Sequence, residues 1–443
     1  LSSRFLEDEK KLSQIPHPSL LQNSNKAAKR IAKAIQNNER IALVGDYDVD
    51  GVSSTAIMVD FFRQIPYELE AIIPNRFKDG YGVSPNVLKR IDADLVITVD
   101  NGISAIEAAE ICKEKNIELI ITDHHTPGDI LPDVFAIVNP KLRTCEYPFK
   151  EICGAQVAWL LLALVKKELN LQIDMKQFLD ILCIAIIADI MPLIDINRSI
   201  VKAGLKLIMT SSRPSSIIIR DYLNKPIINS EDIAFQIAPR LNAAGRLEDA
   251  SIALEFFTAT NVNTAHKQFE KLNALNELRK ETELQTTKDA TKEVITNNED
   301  KIIVVAKENW HEGVVGIVAA RLVSAFDKPA IVLNINNGIA KGSARSIGDV
   351  NIYELIKENA KYLNKFGGHK MAAGLGLNEN NIDEFRKNIN ICTKKIDKKD
   401  FIPKNESIGM LENQILDLDL LYLLDKFEPY GEGNTKPLFF MKN

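Results

Sequence analysis

Residues 41–51 read IALVGDYDVDG, and this stretch decides the fold. Four apolar residues, Ile41 to Val44, run into Gly45 and then into Asp46, Asp48 and Asp50 at alternate positions. The apolar run reads as a short buried strand. Open α/β sheets build their sites past the carboxyl ends of their strands, where these aspartates fall. In extended backbone, residues two apart point the same way. Carboxylates so crowded repel unless a cation lies between them, and a divalent metal suits oxygen ligands packed this tightly. The competing reading is a solvated acidic turn, since Asp and Gly are common in turns.

Two further stretches weigh against the turn. Residues 95–99 are apolar and end in Asp100-Asn101-Gly102; residues 119–122 end in Asp123-His124-His125. Helical patterns at 52–62 and 103–115, a strand at 69–73 and a polar loop NRFKDGYG at 75–82 fill the intervals. Another helix is expected near Ser84-Pro85, where proline suits a first turn. Such alternation predicts an α/β domain with a parallel sheet and right-handed crossovers. All strand carboxyl ends then share one edge, which gathers Asp46, Asp48, Asp50, Asp100, Asp123, His124 and His125. Residues 178–187, FLDILCIAII, form an apolar helix that ends in Ala188-Asp189-Ile190-Met191-Pro192-Leu193. A carboxylate ending a buried helix needs a partner, so Asp189 is read as a further ligand rather than as a solvated helix end.

The chain has 443 residues, too many for one ordinary core. Hydrophobic residues at 45% and charged residues at 26% are usual for a globular protein. No apolar run reaches transmembrane length and no signal peptide is visible, so no membrane partner is expected. Cys112, Cys145, Cys153, Cys183 and Cys392 are scattered without a C-x-x-C pair. That excludes a disulfide framework and a cysteine zinc site, and it fits a cytoplasmic protein. A net charge of -5 argues only weakly against a nucleic-acid partner, because phosphate binding needs a local basic stripe and not a basic total. The chain lacks an initiator Met and stops soon after PLFF at 437–440, so a fragment without the C-terminal end of the natural protein is expected.

Residues 239–246, PRLNAAGR, set Arg240 and Arg246 around small residues that let a backbone approach closely. This suits phosphate contact, and a plain surface loop is the alternative. The charged stretch 264–297 reads as an exposed helix bridging two domains. A second α/β unit follows, with strands at 302–306 and 330–335 and helices at 313–324 and 351–363. Within it, Gly367-Gly368-His369-Lys370 could wrap an anion with backbone N–H groups. Trp310-His311-Glu312-Gly313 opens a helix and could face a phosphate; capping or packing is the alternative for His311. The segment FEPYGEGN at 427–434 suggests the start of a small β domain. The expected organisation is a helical lead-in at 1–40, a catalytic domain at 41–260, a connecting helix at 261–298, a smaller α/β domain at 299–397 and a partial OB-like domain at 398–443.

Oxygen-rich ligands with one or two imidazoles point to Mn²⁺ or Mg²⁺ more than to zinc, and imidazole leans toward Mn²⁺. The ligands outnumber the needs of one ion. Two ions sharing a carboxylate, about 3.5–4 Å apart, suit phosphoester hydrolysis: one activates a water and both steady the charge on phosphorus. Asp100 is the expected bridge.

The four motifs around Asp46, Asp100, Asp123 and Asp189 resemble those of the DHH phosphoesterase family. Gly367-Gly368-His369 with Ala372-Ala373-Gly374 resembles its companion DHHA1 domain. Their order and spacing over nearly the whole chain are similar to the family's single-strand-specific DNA exonucleases. The resemblance implies 5′-to-3′ degradation of single-stranded DNA to mononucleotides with Mn²⁺ or Mg²⁺, in repair and recombination. It implies metal ligands at Asp46, Asp48, Asp50, Asp100, His124 and Asp189, and leaves open which of the first three bind. By the same resemblance His125 meets the scissile phosphate, and Asp123 orients the histidines. Asp100, His124 and His125 form the catalytic group. Arg240, Asn242, Arg246, His311, Arg345, Gly368 and His369 contact phosphate or DNA. A monomer is implied, with single-strand-binding protein and a helicase as partners. Two other readings compete: a small phosphoesterase for short oligonucleotides or phosphonucleotides, and a DNA-binding scaffold that has lost its metals. The scaffold should show eroded ligands, yet every carboxylate and both histidines are present.

Overall fold

The computed structural model describes residues 10–296, 300–403, 407, 409–411 and 416–441. The chain divides into two units, Leu1–Leu275 with Gly409–Asn443, and Asn276–Ile408.

The first unit is built on β1 (Ile41–Val44), β2 (Glu70–Ile72), β3 (Leu95–Val99), β4 (Glu118–Thr122) and β5 (Ala136–Val138). They form one sheet in the order β2-β1-β3-β4-β5, every pair parallel. All residues of β1, β3 and β5 are buried, the pattern of strands covered on both faces. The order reverses between β1 and β3, and that reversal is where such sheets open a crevice for ligands. Strand β5 escaped the sequence reading, since three apolar residues carry no periodicity. Helix α1 (Ser24–Gln36) leads in; α2 (Val49–Phe62), α3 (Pro85–Leu88) and α4 (Ile106–Glu114) alternate with the strands. Residues 1–9 of the expected lead-in lie outside the described residues.

One sequence expectation needs correction here. The three aspartates do not share an extended run. Asp48 caps α2, its side chain accepting from the Gly51 N–H at 3.1 Å, so Asp50 lies in the first helical turn. Local capping won over the alternation. The aspartates therefore converge across a strand–turn–helix corner.

A helical layer follows: α5 (Gly154–Glu168), α6 (Leu179–Ala188), α7 (Asp195–Thr210), α8 (Pro214–Leu223) and α9 (Ser230–Asp232). A π-helical turn at Ile233–Ile237 runs directly into α10 (Ala238–Leu247), followed by α11 (Ser251–Phe257). The segment 239–246 is thus helical, with Pro239 tolerated in the first turn. Helix α12 (Val262–Thr296) is long, as expected, but not exposed on all faces. Ala265, Phe269, Leu272 and Leu275 join the core of the first unit, while Ala290 and Val294 are buried in the second.

The second unit holds β6 (Ile303–Glu308), α13 (Val315–Phe326), β7 (Ala330–Asn336), β8 (Ile339–Arg345), α14 (Ile352–Glu358), β9 (Leu363–His369), β10 (Ala372–Asn378) and α15 (Ile382–Cys392). Its sheet order is β6-β7-β8-β10-β9, with β6–β7 parallel and the other pairs antiparallel. The expected anion-wrapping loop at Gly367 to Gly374 is a hairpin. Gly367 pairs with Gly374 and Gly368 with Ala373, so the backbone serves a ladder there and not a nest.

The last described residues form β11 (Gly409–Leu411), α16 (Leu418–Asp425) and β12 (Phe439–Met441), with β11 and β12 a parallel pair. Between α16 and β12, the loop 427–434 packs into the first unit. All five cysteines are free. Among the described residues no helix is long and apolar enough to cross a membrane.

Candidate metal centre

Asp46, Asp50, Asp100 and His124 are 1–5% exposed, and each is held by different means. Asp46 Oδ1 accepts from the Tyr47 N–H at 2.7 Å. The Asp50 carboxylate accepts from the Gly154 and Ala155 N–H groups at 2.6 and 2.9 Å, at the amino end of α5. That end carries free N–H donors and positive partial charge. Asp100 adopts a left-handed φ of 63°, a conformation Asp tolerates better than most residues. The neighbouring Asn101 donates to the Val44 and Val99 carbonyls at 3.0 and 2.9 Å and accepts from Val83, stapling β1 to β3 beneath the ligands.

Asp123 spends both oxygens inside the protein. One accepts from the His124 and His125 N–H groups at 2.7 and 3.0 Å and from His125 Nδ1 at 2.7 Å; the other accepts from Ile103 N–H at 2.8 Å. Asp189 caps the end of α6.

These groups converge. His124 Nε2 lies 3.2 Å from Asp100 Oδ1, 3.5 Å from Asp189 Oδ2 and 3.6 Å from Asp50 Oδ2. Three sets bring ligand atoms within 4.8 Å of one another: Asp46–Asp48–Asp100, Asp100–His124–His125 and Asp50–His124–Asp189. Asp100 and His124 each belong to two sets. Asp100 Oδ1, His124 Nδ1 and Asp189 Oδ2 are buried without a hydrogen-bond partner among the described residues. Orphaned buried acceptors are costly, and a cation removes the cost.

The electrostatics agree. Burial first, then mutual repulsion, pushes Asp100 well above the usual carboxylate range, and burial also raises Asp46 and Asp189 well above it. Burial raises Asp50 against the pull of His124, and it lowers His124. His125 goes the other way. Its partial burial is outweighed by the hydrogen bond and charge of Asp123, which raise it to about 9. The arrangement suits divalent cations, with Asp46, Asp48, Asp50, Asp100, His124 and Asp189 as the residues able to hold them.

A cavity of about 280 Å³ opens beside these ligands, lined by Asp46, Asp48 and His125 together with Arg76 and Arg246. Arg76 lies 4.3 Å from the centre of the Tyr47 ring, and Tyr81 packs edge-on against both Tyr47 and His125. Arg76 and Tyr81 were missed as site residues. The signal was present, since NRFKDGYG follows β2 on the same sheet edge as the ligands.

Helix α10 braces the first motif. Asn242 Oδ1 accepts from the Val49 N–H at 3.3 Å. A Cβ on Gly245 would fall 2.1 Å from the Tyr47 carbonyl oxygen, so only glycine allows this approach. Arg240 is a correction. It is 9% exposed, donates to Asn273 Oδ1 at 2.6 Å and to Gln236 O and Tyr222 Oη, and lies over the Tyr222 ring. Its donors tie α10 to α8 and α12, whereas Arg246 lines the cavity beside the ligands.

In the second unit, Arg345 ends β8. Its Nη1 donates to Ala344 O at 2.9 Å, and burial lowers its pKa. A Cβ on Gly316, in the first turn of α13, would meet Arg345 Nη2 at 3.1 Å and Ser343 Oγ at 3.2 Å. The Arg345 guanidinium therefore lies beside the amino end of α13. His311 Nδ1 accepts from the Gly313 N–H at 3.0 Å, a local bond in the turn ahead of α13. His369 ends β9, with its Nδ1 accepting from Met371 N–H at 3.3 Å.

A doubly wound parallel sheet with carboxylates and imidazoles at its switch point defines a metal-dependent phosphoesterase scaffold. Comparison with known proteins narrows the class. Residues 40–186 match the DHH family, N-terminal domain, and residues 299–395 match the DHHA1 domain. The single-stranded-DNA-specific exonuclease RecJ of Bacillus subtilis is 38% identical over 435 residues, 96% of this chain and 55% of the relative. RecJ of Dickeya dadantii is 32% identical, over 98% of this chain and 80% of the relative. The crystal structure of Thermus thermophilus RecJ in complex with Mn²⁺ superposes with a TM-score of 0.85 at 30% identity, covering 96% of this chain and 63% of that one. The chain belongs to the RecJ family. It spans about half the length of the Bacillus relative and four fifths of the Dickeya one.

Proposed function

We propose that this chain is a metal-dependent exonuclease that hydrolyses single-stranded DNA from its 5′ end to mononucleotides, acting as a cytoplasmic monomer in repair and recombination. The observation that carries the reading is the set of overlapping ligand clusters joined through Asp100 and His124. Relatives named for this activity, and a relative crystallised with Mn²⁺, support it.

Mn²⁺ or Mg²⁺, when bound, lowers the pKa of a ligated water and stabilises charge on the phosphoryl oxygens. The protein does the rest. Asp100 bridges the two halves of the site, Asp50 is fixed by α5, and Asp123 holds His125 as a cation facing the cavity. His125 and Arg76 meet the scissile phosphate, with Arg246 beside them. Arg345 with Ser343 receives another phosphate of the strand. Contacts of this kind read the backbone and not the bases. Single-strand-binding protein and a helicase are the partners that would feed such an enzyme its strand.

The test is digestion of single-stranded DNA labelled at either end, with Mn²⁺, with chelator, and with Asp100→Ala. Early release of the 5′ label as mononucleotide, abolished by chelator and by the substitution, is expected. Intact long DNA with cleaved dinucleotides would replace the proposal by a small-substrate enzyme.

A further inference from the structure

Asp189 is held differently from Asp50. Two backbone N–H groups fix the Asp50 carboxylate, but Asp189 Oδ2, like Asp100 Oδ1, has no hydrogen-bond partner among the described residues. Its place depends on the backbone of the turn between α6 and α7. That turn is strained. Ile190, a β-branched residue, sits at a left-handed φ of 56° with 68% of its surface exposed. Its own packing does not keep it there, and strain of this kind persists only when the surroundings over-determine it.

The surroundings are the loop 427–434. The Leu193 N–H, four residues past Asp189, donates to the Glu432 carbonyl at 2.7 Å. A Cβ on Gly431 would fall 2.7 Å from Leu193 Cδ1, and one on Gly433 would fall 3.1 Å from Pro192 Cβ. The loop is itself anchored. Arg198 on α7 donates to the Phe427 and Lys426 carbonyls at 2.7 and 3.0 Å, and Ser230 Oγ donates to the Tyr430 carbonyl at 2.5 Å. Asn434, 1% exposed, donates to the Phe427 and Pro429 carbonyls at 2.7 and 2.8 Å and so shapes the loop from within.

We infer that the loop 427–434 is a strap whose task is to position Asp189 for metal binding, so that Asn434 and Gly431 act on the metal centre through Leu193. This rests on the metal reading of Asp189. The strap is far away in sequence, and its effect passes through the turn it clamps. A strap that merely anchored α7 would affect folding and leave the metal alone.

The experiment is a calorimetric Mn²⁺ titration of the full chain, with thermal unfolding of the metal-free protein alongside. Asn434→Ala should weaken Mn²⁺ binding about tenfold, as loss of a ligand-orienting partner commonly does. In an Asp189→Ala background the same substitution should change Mn²⁺ affinity no further. Ile190→Gly, which suits a left-handed turn, should restore most of the affinity lost in Asn434→Ala. Affinity within twofold of wild type, or an equal loss in the Asp189→Ala background, overturns the inference. If Asn434→Ala does not fold, Gly431→Ala takes its place, with the same measurements and the same thresholds. A wild-type chain that binds no Mn²⁺ removes the metal reading and this inference with it.

Discussion

Gly245→Ala tests whether α10 sets the geometry of the first motif. At an exposed helical position, exchanging Gly for Ala stabilises by about 1 kcal/mol, because alanine loses less backbone freedom. Here the new Cβ would lie 2.1 Å from the Tyr47 carbonyl oxygen and 3.3 Å from Tyr47 Cβ. A carbon and a carbonyl oxygen rest at about 3.3–3.6 Å, so helix and loop must part by roughly 1 Å. Such overpacking costs about 1–3 kcal/mol. The parting also stretches the Asn242–Val49 hydrogen bond, already 3.3 Å long, at a cost of about 1 kcal/mol if it is lost. The helical gain offsets roughly that last loss. The net expectation is destabilisation by about 1–3 kcal/mol, a fall in Tm of several degrees by scanning calorimetry of the metal-free protein. Tyr47 lies between Asp46 and Asp48, so nuclease activity should fall about 100-fold, the usual result of a 1 Å misplacement. A variant as stable as wild type or more so, with unchanged activity, would show that the close approach has no bearing on the site.

Four other outcomes are expected. Saturation with Mn²⁺ at 100 times its Kd should stabilise the chain by about 2.7 kcal/mol, reversibly with chelator. Asp100→Asn should lose most of that gain and yet raise the Tm of the metal-free protein, because Asp100 is buried among carboxylates that repel it. Asp123→Asn turns an amide N–H toward a backbone N–H and should cost about 1–3 kcal/mol in urea unfolding. Its turnover should drop at unchanged Mn²⁺ stoichiometry, since both carboxylate oxygens serve the histidines and Ile103. Single-stranded DNA binding should weaken linearly in log–log salt titrations, with the slope shallower by about 0.7 for Arg345→Ala if that guanidinium meets one phosphate.

Strands β1, β3 and β4 and the ligand edge were legible because buried parallel strands read as plain apolar runs, and each of these three ran into carboxylates that cannot be buried cheaply. What misled was local hydrogen bonding. Alternating aspartates look extended until Asp48 is seen to cap a helix. PRLNAAGR looks like a loop because Pro and Gly usually break helices, yet here one sits in the first turn and the other packs against Tyr47. Arg240 could not be told from Arg246 by sequence, since only tertiary neighbours decide which guanidinium is spent inside. The Gly367–Gly368 pair reads as a turn, yet pairing with Gly374 and Ala373 across a hairpin makes it a strand. Arg76 lay in plain view within a polar loop whose place on the sheet edge had already been inferred.

The π-helical turn at Ile233–Ile237 gives the chain a place where its length can change. Such a turn holds one residue more than an α-helical one, so the extra residue is absorbed locally and the helix on either side keeps its angular phase. Removing a single residue there, for instance the exposed Phe235, would let the turn revert to α-helix and leave Asn242 and Gly245 aimed at the Tyr47 loop. The same deletion inside α10 would rotate everything after it by about 100°. In comparing or engineering such chains, a gap placed in the 230s is therefore a milder event than one placed a few residues later, which re-aims a helix rather than altering one contact.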